Sequence, residues 1–136
     1  MNKILVIGGS RGIGKEVINE LINDNLIINF SRNKPELSHA NLTHHTIDVL
    51  SSELPDLEDI STIVYCPGSI NLKPIGRFSL DEFREDFEIN VIGAVKVIQK
   101  YISSLKKSTN ASILLFSTVA TKLGMPYHAS VAASKS

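Results

Sequence analysis

The chain has 136 residues, 43% of them hydrophobic, which is enough for one domain with one core and too few for a second. Lys plus Arg and Asp plus Glu balance at 14 each, so no overall field draws nucleic acid or an anionic membrane surface, and neither is expected as a partner. The single cysteine, Cys66, excludes an internal disulfide, and no leader or apolar run of membrane-spanning length occurs, so a cytoplasmic location is expected.

The first apolar run, Ile4-Leu5-Val6-Ile7, is continuous rather than alternating and ends in glycines. Continuity means that both faces are covered, the habit of a parallel strand flanked by helices. Ile13, Val17, Leu21 and Ile22 then recur at helical spacing, opposite Lys15, Glu16, Asn19 and Glu20. Leu26 to Phe30 reads as a second strand, which completes a βαβ unit. Residues 31–43 hold Pro35 and leave little room for a crossover helix, so a short turn or loop is expected before a weaker strand at His45-Thr46-Ile47. Residues 50–60 support only a short helix around Leu54 to Ile60, ahead of a fourth strand, Ile63 to Cys66. Ser79 and Glu82 form a capping box for a long helix over 79–107. Its stripe runs through Phe83, Phe87, Val91, Val95, Ile98, Ile102 and Leu105, and it ends near Lys106-Lys107, as its dipole favours. Ile113 to Phe116 is the fifth strand.

A strand leading straight into Gly8-Gly9-Ser10-Arg11-Gly12-Ile13-Gly14 and then an amphipathic helix concentrates backbone N–H groups at a positive helix terminus, a site that suits a pyrophosphate. Glycine is needed where a side chain would block a left-handed turn, the phosphate oxygens or close helix packing. Gly9 to Lys15 also matches the start of a nucleoside-triphosphate loop, but Glu16 stands where that loop needs a magnesium-binding hydroxyl. The second strand ends Ser31-Arg32 with no carboxylate to bond a ribose 2′-hydroxyl. Arg32, Ser31 and Arg11 therefore point to a 2′-phosphate and to NADP(H) rather than NAD.

Further residues follow in order: Asp48-Val49 after the third strand, Gly68 in Tyr65-Cys66-Pro67-Gly68, Asn90 halfway along the long helix, and Lys135 in Val131-Ala132-Ala133-Ser134-Lys135. With Gly8, Gly12 and Gly14, these make the chain resemble the short-chain dehydrogenase/reductase family over essentially its whole length. The resemblance implies a Rossmann-like, doubly wound parallel α/β sheet of about five strands in the order 3-2-1-4-5, forming a single NADP(H)-binding domain over 1–136 that lacks the C-terminal part of the family fold. It implies cofactor contacts from Gly8, Ser10, Arg11, Gly12, Ile13, Gly14, Ser31, Arg32, Asp48, Val49, Gly68, Asn90 and Lys135. It also implies an active site of Asn90, Lys135 and a serine position best matched by Thr118, with Ser117 just before it.

Where the family has its proton-donating tyrosine, this chain has Val131, which carries no proton to transfer. Tyr127 and His128 lie just upstream and are expected to line the cleft. The resemblance thus implies hydride transfer between a nicotinamide and a small carbonyl or alcohol, impaired in this chain. The alternatives are a non-catalytic NADP(H)-binding module or a structural remnant. The helix over 79–107 resembles the family's dimer helix and implies a homo-oligomer. His39, His44 and His45 lack cysteine or carboxylate partners at ligand spacing and read as surface residues with no metal, and Cys66 reads as a small buried filler.

Overall fold

The computed structural model describes residues 1–69 and 71–136. Strand β1 (Lys3–Ile7) lies at the centre of a five-stranded sheet with β2 (Leu26–Ser31), β3 (Leu42–Thr46), β4 (Thr62–Tyr65) and β5 (Ser112–Leu115). The order is β3-β2-β1-β4-β5 and every pairing is parallel, as expected. The register pairs Val6 with Asn29 on one side and Ile7 with Tyr65 on the other. Among the described residues the α-helices are α1 (Gly12–Leu21), α2 (Leu80–Phe87), α3 (Gly93–Lys107) and α4 (Ala129–Lys135).

The continuous hydrophobicity of the strands serves two cores, one on each face. Leu5, Ile7, Phe30, Ile63 and Tyr65 pack with Val97, Tyr101 and Leu105 of α3. Ile4, Val6, Ile27 and Val64 pack with Ile18 of α1 and Ile22 just beyond it. Each such fully buried side chain contributes about 1.5–3 kcal/mol.

Four local expectations change. In α1 the buried face is Gly14 and Ile18, whereas Ile13 is 58% exposed, because the glycine turn places the first helical residue outside the sheet contact. Strand β3 begins earlier than His45: Leu42 pairs with Ile27 and Thr46 with Ser31. Residues 50–60 form no helix; they run irregularly, with Leu54 and Ile60 buried and the Tyr101 hydroxyl donating to the Pro55 carbonyl at 2.7 Å. The long helix is interrupted by a π-helical segment, Glu88–Ile92, between α2 and α3. That wider turn rotates the buried face to Asp86, Gly93, Ala94, Val97 and Tyr101, and leaves Phe87 and Val95 of the expected stripe 48% and 43% exposed.

Candidate functional site: a cleft at the end of the sheet

Strand β1 runs out at Ile7, and the chain turns through Gly8 and Gly12, both left-handed at φ +83° and +59°, where L side chains are strained. At Gly14 a Cβ would lie 2.2 Å from the Gly8 carbonyl oxygen, so only glycine lets α1 sit this close to the strand end. Arg11, the N-cap residue of α1, gives no side-chain cap. The first N–H groups of the helix therefore lack a side-chain acceptor at the end where its dipole is positive. A cleft of about 310 Å³ opens over this turn.

The cleft gathers Gly8, Ser10, Arg11, Gly12, Ile13 and Gly14 from the turn, Ser31 and Arg32 from the end of β2, and Asp48 and Val49 from beyond β3. Arg11 and Arg32 are both exposed and border the same space, with no carboxylate at the end of β2. Ser31 differs from its expected role. It is 6% exposed, and its hydroxyl accepts from Asn29 Nδ2 at 2.9 Å and donates to the Asn33 carbonyl at 2.6 Å, so its hydrogen is already engaged. Val49 sends its side chain into the core and offers the cleft mainly backbone. Asp48 Oδ1 accepts from the Leu50 N–H at 3.0 Å, and Lys96 Nζ donates to the carbonyls of Val49 and Ser52, both at 2.6 Å. Lys96 thus ties this wall of the cleft to α3.

Asn29 was not singled out in the sequence, although a polar residue inside the apolar run 26–30 was the available signal. It is fully buried, and its Oδ1 accepts the Gly9 N–H at 2.9 Å. A Cβ on Gly9 would lie 2.4 Å from that oxygen, so the glycine and the asparagine fit as a pair.

Gly68, Asn90 and Lys135 meet in a second corner. A Cβ on Gly68 would lie 3.1 Å from Asn90 Oδ1 and 3.3 Å from Lys135 Nζ. Asn90 lies in the π-helical segment, where its Nδ2 donates to Ser134 Oγ at 3.0 Å while its buried Oδ1 has no partner. Such an orphan is costly unless a ligand or water meets it. The phenol of Tyr65 supports the segment by donating to the Ile89 carbonyl at 2.5 Å, and it fits only because Gly93 leaves room. Burial, and then the negative charge of Asp48, raise the Tyr65 pKa, so the phenol remains a donor. Below the segment, the fully buried Asp86 accepts from Ser130 Oγ at 2.6 Å, from Asn71 Nδ2 at 3.0 Å and from the Ser69 hydroxyl. Asp86 and Asn90 on one helix thereby hold Ser130 and Ser134 on α4, and so fix the turn that carries Lys135.

Lys135 Nζ donates to the Phe116 carbonyl at 3.4 Å, and Ser117 Oγ donates to the Lys135 carbonyl at 3.2 Å, which places Ser117 beside the lysine. Thr118 Oγ1 caps the short 3-10 turn Val119–Thr121 by accepting from the Ala120 N–H at 3.4 Å. Val131 lies one turn before Lys135 and is 2% exposed. Tyr127 is left-handed at φ +64° and exposed, and His128 Nδ1 donates to the Pro126 carbonyl at 2.5 Å.

Two smaller expectations are corrected. His44 and His45 are structural as well as superficial: His44 Nδ1 lies 3.1 Å from Asn29 Nδ2, and His45 packs edge-on against Phe30. Cys66 is only partly buried against the α1 core, and desolvation raises its pKa to about 11, so its thiol stays protonated near neutral pH. Among the described residues no group of three or more His, Cys, Asp or Glu forms a metal site, and no helix is long and apolar enough to cross a membrane.

The sequence pattern of the family described as short chain dehydrogenase matches residues 2–136. No curated protein matches significantly. Among solved structures, a short chain dehydrogenase family protein from Francisella tularensis subsp. tularensis SCHU S4 superposes with a TM-score of 0.86 at 21% identity, over 99% of this chain and 58% of that one. Aldohexose dehydrogenase from Thermoplasma acidophilum, in ligand-free form, gives 0.84 at 21% identity, over 98% and 56%. A protein named ElxO, with NADP bound, gives 0.84 at 19% identity, over 98% and 62%. The chain thus spans somewhat over half the length of these structures.

Proposed function

The chain belongs to the short chain dehydrogenase family, and from that premise we propose that residues 1–136 form a dinucleotide-binding domain that takes NADP(H) in the cleft over the glycine turn. The observation that carries this reading is the pairing of Arg11 and Arg32 around one cleft with no carboxylate at the end of β2. A 2′-phosphate needs charge-assisted donors there, and a ribose 2′-hydroxyl needs an acceptor. Gly14 keeps the cradle open, and the uncapped N-terminus of α1 adds donors for the pyrophosphate. The NADP-bound ElxO structure supports the same choice by analogy of fold.

When bound, the nicotinamide supplies or accepts a hydride at a carbonyl or alcohol carbon. In this reading Lys135 and Asn90 hold the cofactor end near Gly68, and Thr118 or Ser117 orients the substrate oxygen. Ser31 contributes backbone and shape, because its hydroxyl is engaged. Val131 has no proton to give, and a positioned general acid is worth about 10²- to 10⁴-fold in rate. That residue favours a second reading, binding with little or no turnover. The exposed Phe87, Ile92 and Val95 support pairing of two copies through the helices over 79–107.

Fluorescence titration with NADPH and NADH, together with turnover assays over carbonyl and alcohol substrates, tests the proposal. NADPH is expected to bind more tightly than NADH, with turnover absent or slow. Equal affinities refute the arginine assignment, and rapid turnover refutes the account of Val131.

A further inference from the structure

The hydrogen bonds around Asn29 leave only one assignment of donors and acceptors. A backbone N–H can only donate, so the atom facing Gly9 is Asn29 Oδ1. Nδ2 then faces Ser31 Oγ at 2.9 Å and His44 Nδ1 at 3.1 Å, one acceptor for each of its two hydrogens. Ser31 accepts, because its own hydrogen goes to the Asn33 carbonyl. His44 Nδ1 must therefore be unprotonated, and the imidazole is neutral, with its proton on Nε2 facing Thr46 Oγ1 at 3.0 Å. A single chain of bonds runs from the partly exposed ring of His44, through a fully buried amide, to the backbone of the glycine turn.

Protonation of His44 puts a second N–H against the Asn29 NH₂. Two of the relaxations open to the pair reach the turn. Rotating the amide turns NH₂ toward the Gly9 N–H, and withdrawing the ring leaves a buried Asn29 hydrogen without an acceptor, at a cost that loosens Asn29's hold on Gly9. We infer that His44 is a proton sensor for the dinucleotide site, holding the Gly8–Gly14 turn through Asn29 when neutral and loosening it, with weaker dinucleotide binding, when protonated. The binding part of this inference rests on the cofactor reading above.

The surroundings favour the neutral ring. Burial, His45 beside it on β3 and Lys34 from the loop after β2 lower its pKa from the usual 6.5, against a smaller opposing contribution from a hydrogen bond to the Asn29 backbone. Among the described residues no carboxylate pairs with it. A valine at position 29 would suit the middle of a buried parallel strand better on packing alone.

Amide and imidazole NMR of the isotopically labelled chain from pH 8 to 5 tests the relay without any cofactor. The Gly9 amide resonance is expected to move with the titration of the His44 ring, at a midpoint below 6.5. In His44→Asn, whose Oδ1 replaces Nδ1 as a non-titrating acceptor, that movement is expected to disappear. The NADPH dissociation constant of the unaltered chain is expected to rise about two- to tenfold on His44 protonation, the worth of one hydrogen bond, beyond any change seen in His44→Asn. A Gly9 amide that stays still while His44 titrates overturns the inference, and so does an equal pH dependence of binding in the two proteins. A Gly9 amide that follows His44 in a chain that binds no NADPH at any pH supports the relay and overturns the cofactor reading instead.

Discussion

The glycine turn and the Lys135 corner are built to different standards. Around the glycine turn each hydrogen-bonding atom of the buried Asn29 side chain has its partner, and the backbone is held in a shape that only glycine tolerates. In the Lys135 corner the buried Asn90 Oδ1 has none, Val131 stands buried one turn before the lysine, and the side chains of Ile113, Leu114 and Leu115 on β5 are 41–55% exposed. In the first region the buried polar groups are satisfied and the backbone is fixed. The second positions a lysine and an asparagine without a proton donor between them. In the proposed reading, holding a dinucleotide and acting on a substrate are separable demands on this fold, and the first would be met more fully than the second.

The sharpest way to break that comparison is Gly14→Val. Its Cβ would collide with the Gly8 backbone, so loss of NADPH binding is expected together with destabilisation of about 1–3 kcal/mol in urea unfolding, because backbone cannot move aside cheaply. Retained binding would show that the turn is not the pyrophosphate site. Arg32→Ala is expected to weaken NADPH roughly 10- to 100-fold while leaving NADH unchanged, the worth of charge-assisted bonds to one phosphate; a parallel loss for both nucleotides would assign Arg32 to folding instead.

On the other side of the comparison, Tyr65→Phe removes the donor that meets the Ile89 carbonyl. About 1–2 kcal/mol of stability should be lost, with NADPH affinity lowered less than in Arg32→Ala, since the phenol supports the Asn90 segment, at one end of the cofactor in the proposed reading, and not the turn. A drop in affinity as large as that of Arg32→Ala would mean that the two regions are coupled. The smallest effect belongs to the capping box of α2. The Lys73 ammonium, the Ser79 N–H and the Ser79 hydroxyl all donate to Glu82 and lower its pKa from 4.5. A depressed carboxyl contributes stability that is present above about pH 4.5 and lost as pH falls through the lower folded value. Glu82→Gln should flatten that part of the urea-midpoint profile between about pH 3 and 5, and an unaltered profile would show that the box adds nothing to α2.

Four of the five strand positions, the glycine turn and the Ser79 cap were legible in the sequence because each rests on a local pattern: apolar continuity, glycines at fixed spacing, a hydroxyl three residues before a carboxylate; the order of the sheet came from the family resemblance. Errors fell where distant segments decide. The expected helix at 50–60 is absent: Leu54 and Ile60 are buried in the core, and the Pro55 carbonyl is held by Tyr101 across the fold. Periodicity along 79–107 pointed to Phe87 and Val95, but the π-helical segment, supported by a phenol from β4, turns the helix onto Gly93 and Val97.

By itself, then, the sequence determined a parallel α/β sheet with a dinucleotide-type turn, and its family resemblance implied a lysine, Lys135, with Val131 at the family's tyrosine position. The tertiary structure alone decided that Ser31 spends its hydroxyl internally, that Asn90 is left with a bare oxygen, and that Asn29 joins His44 to Gly9. Side-chain hydrogen bonds between elements depend on strand register and helix rotation. No pattern within a single element records which buried donor will find which acceptor.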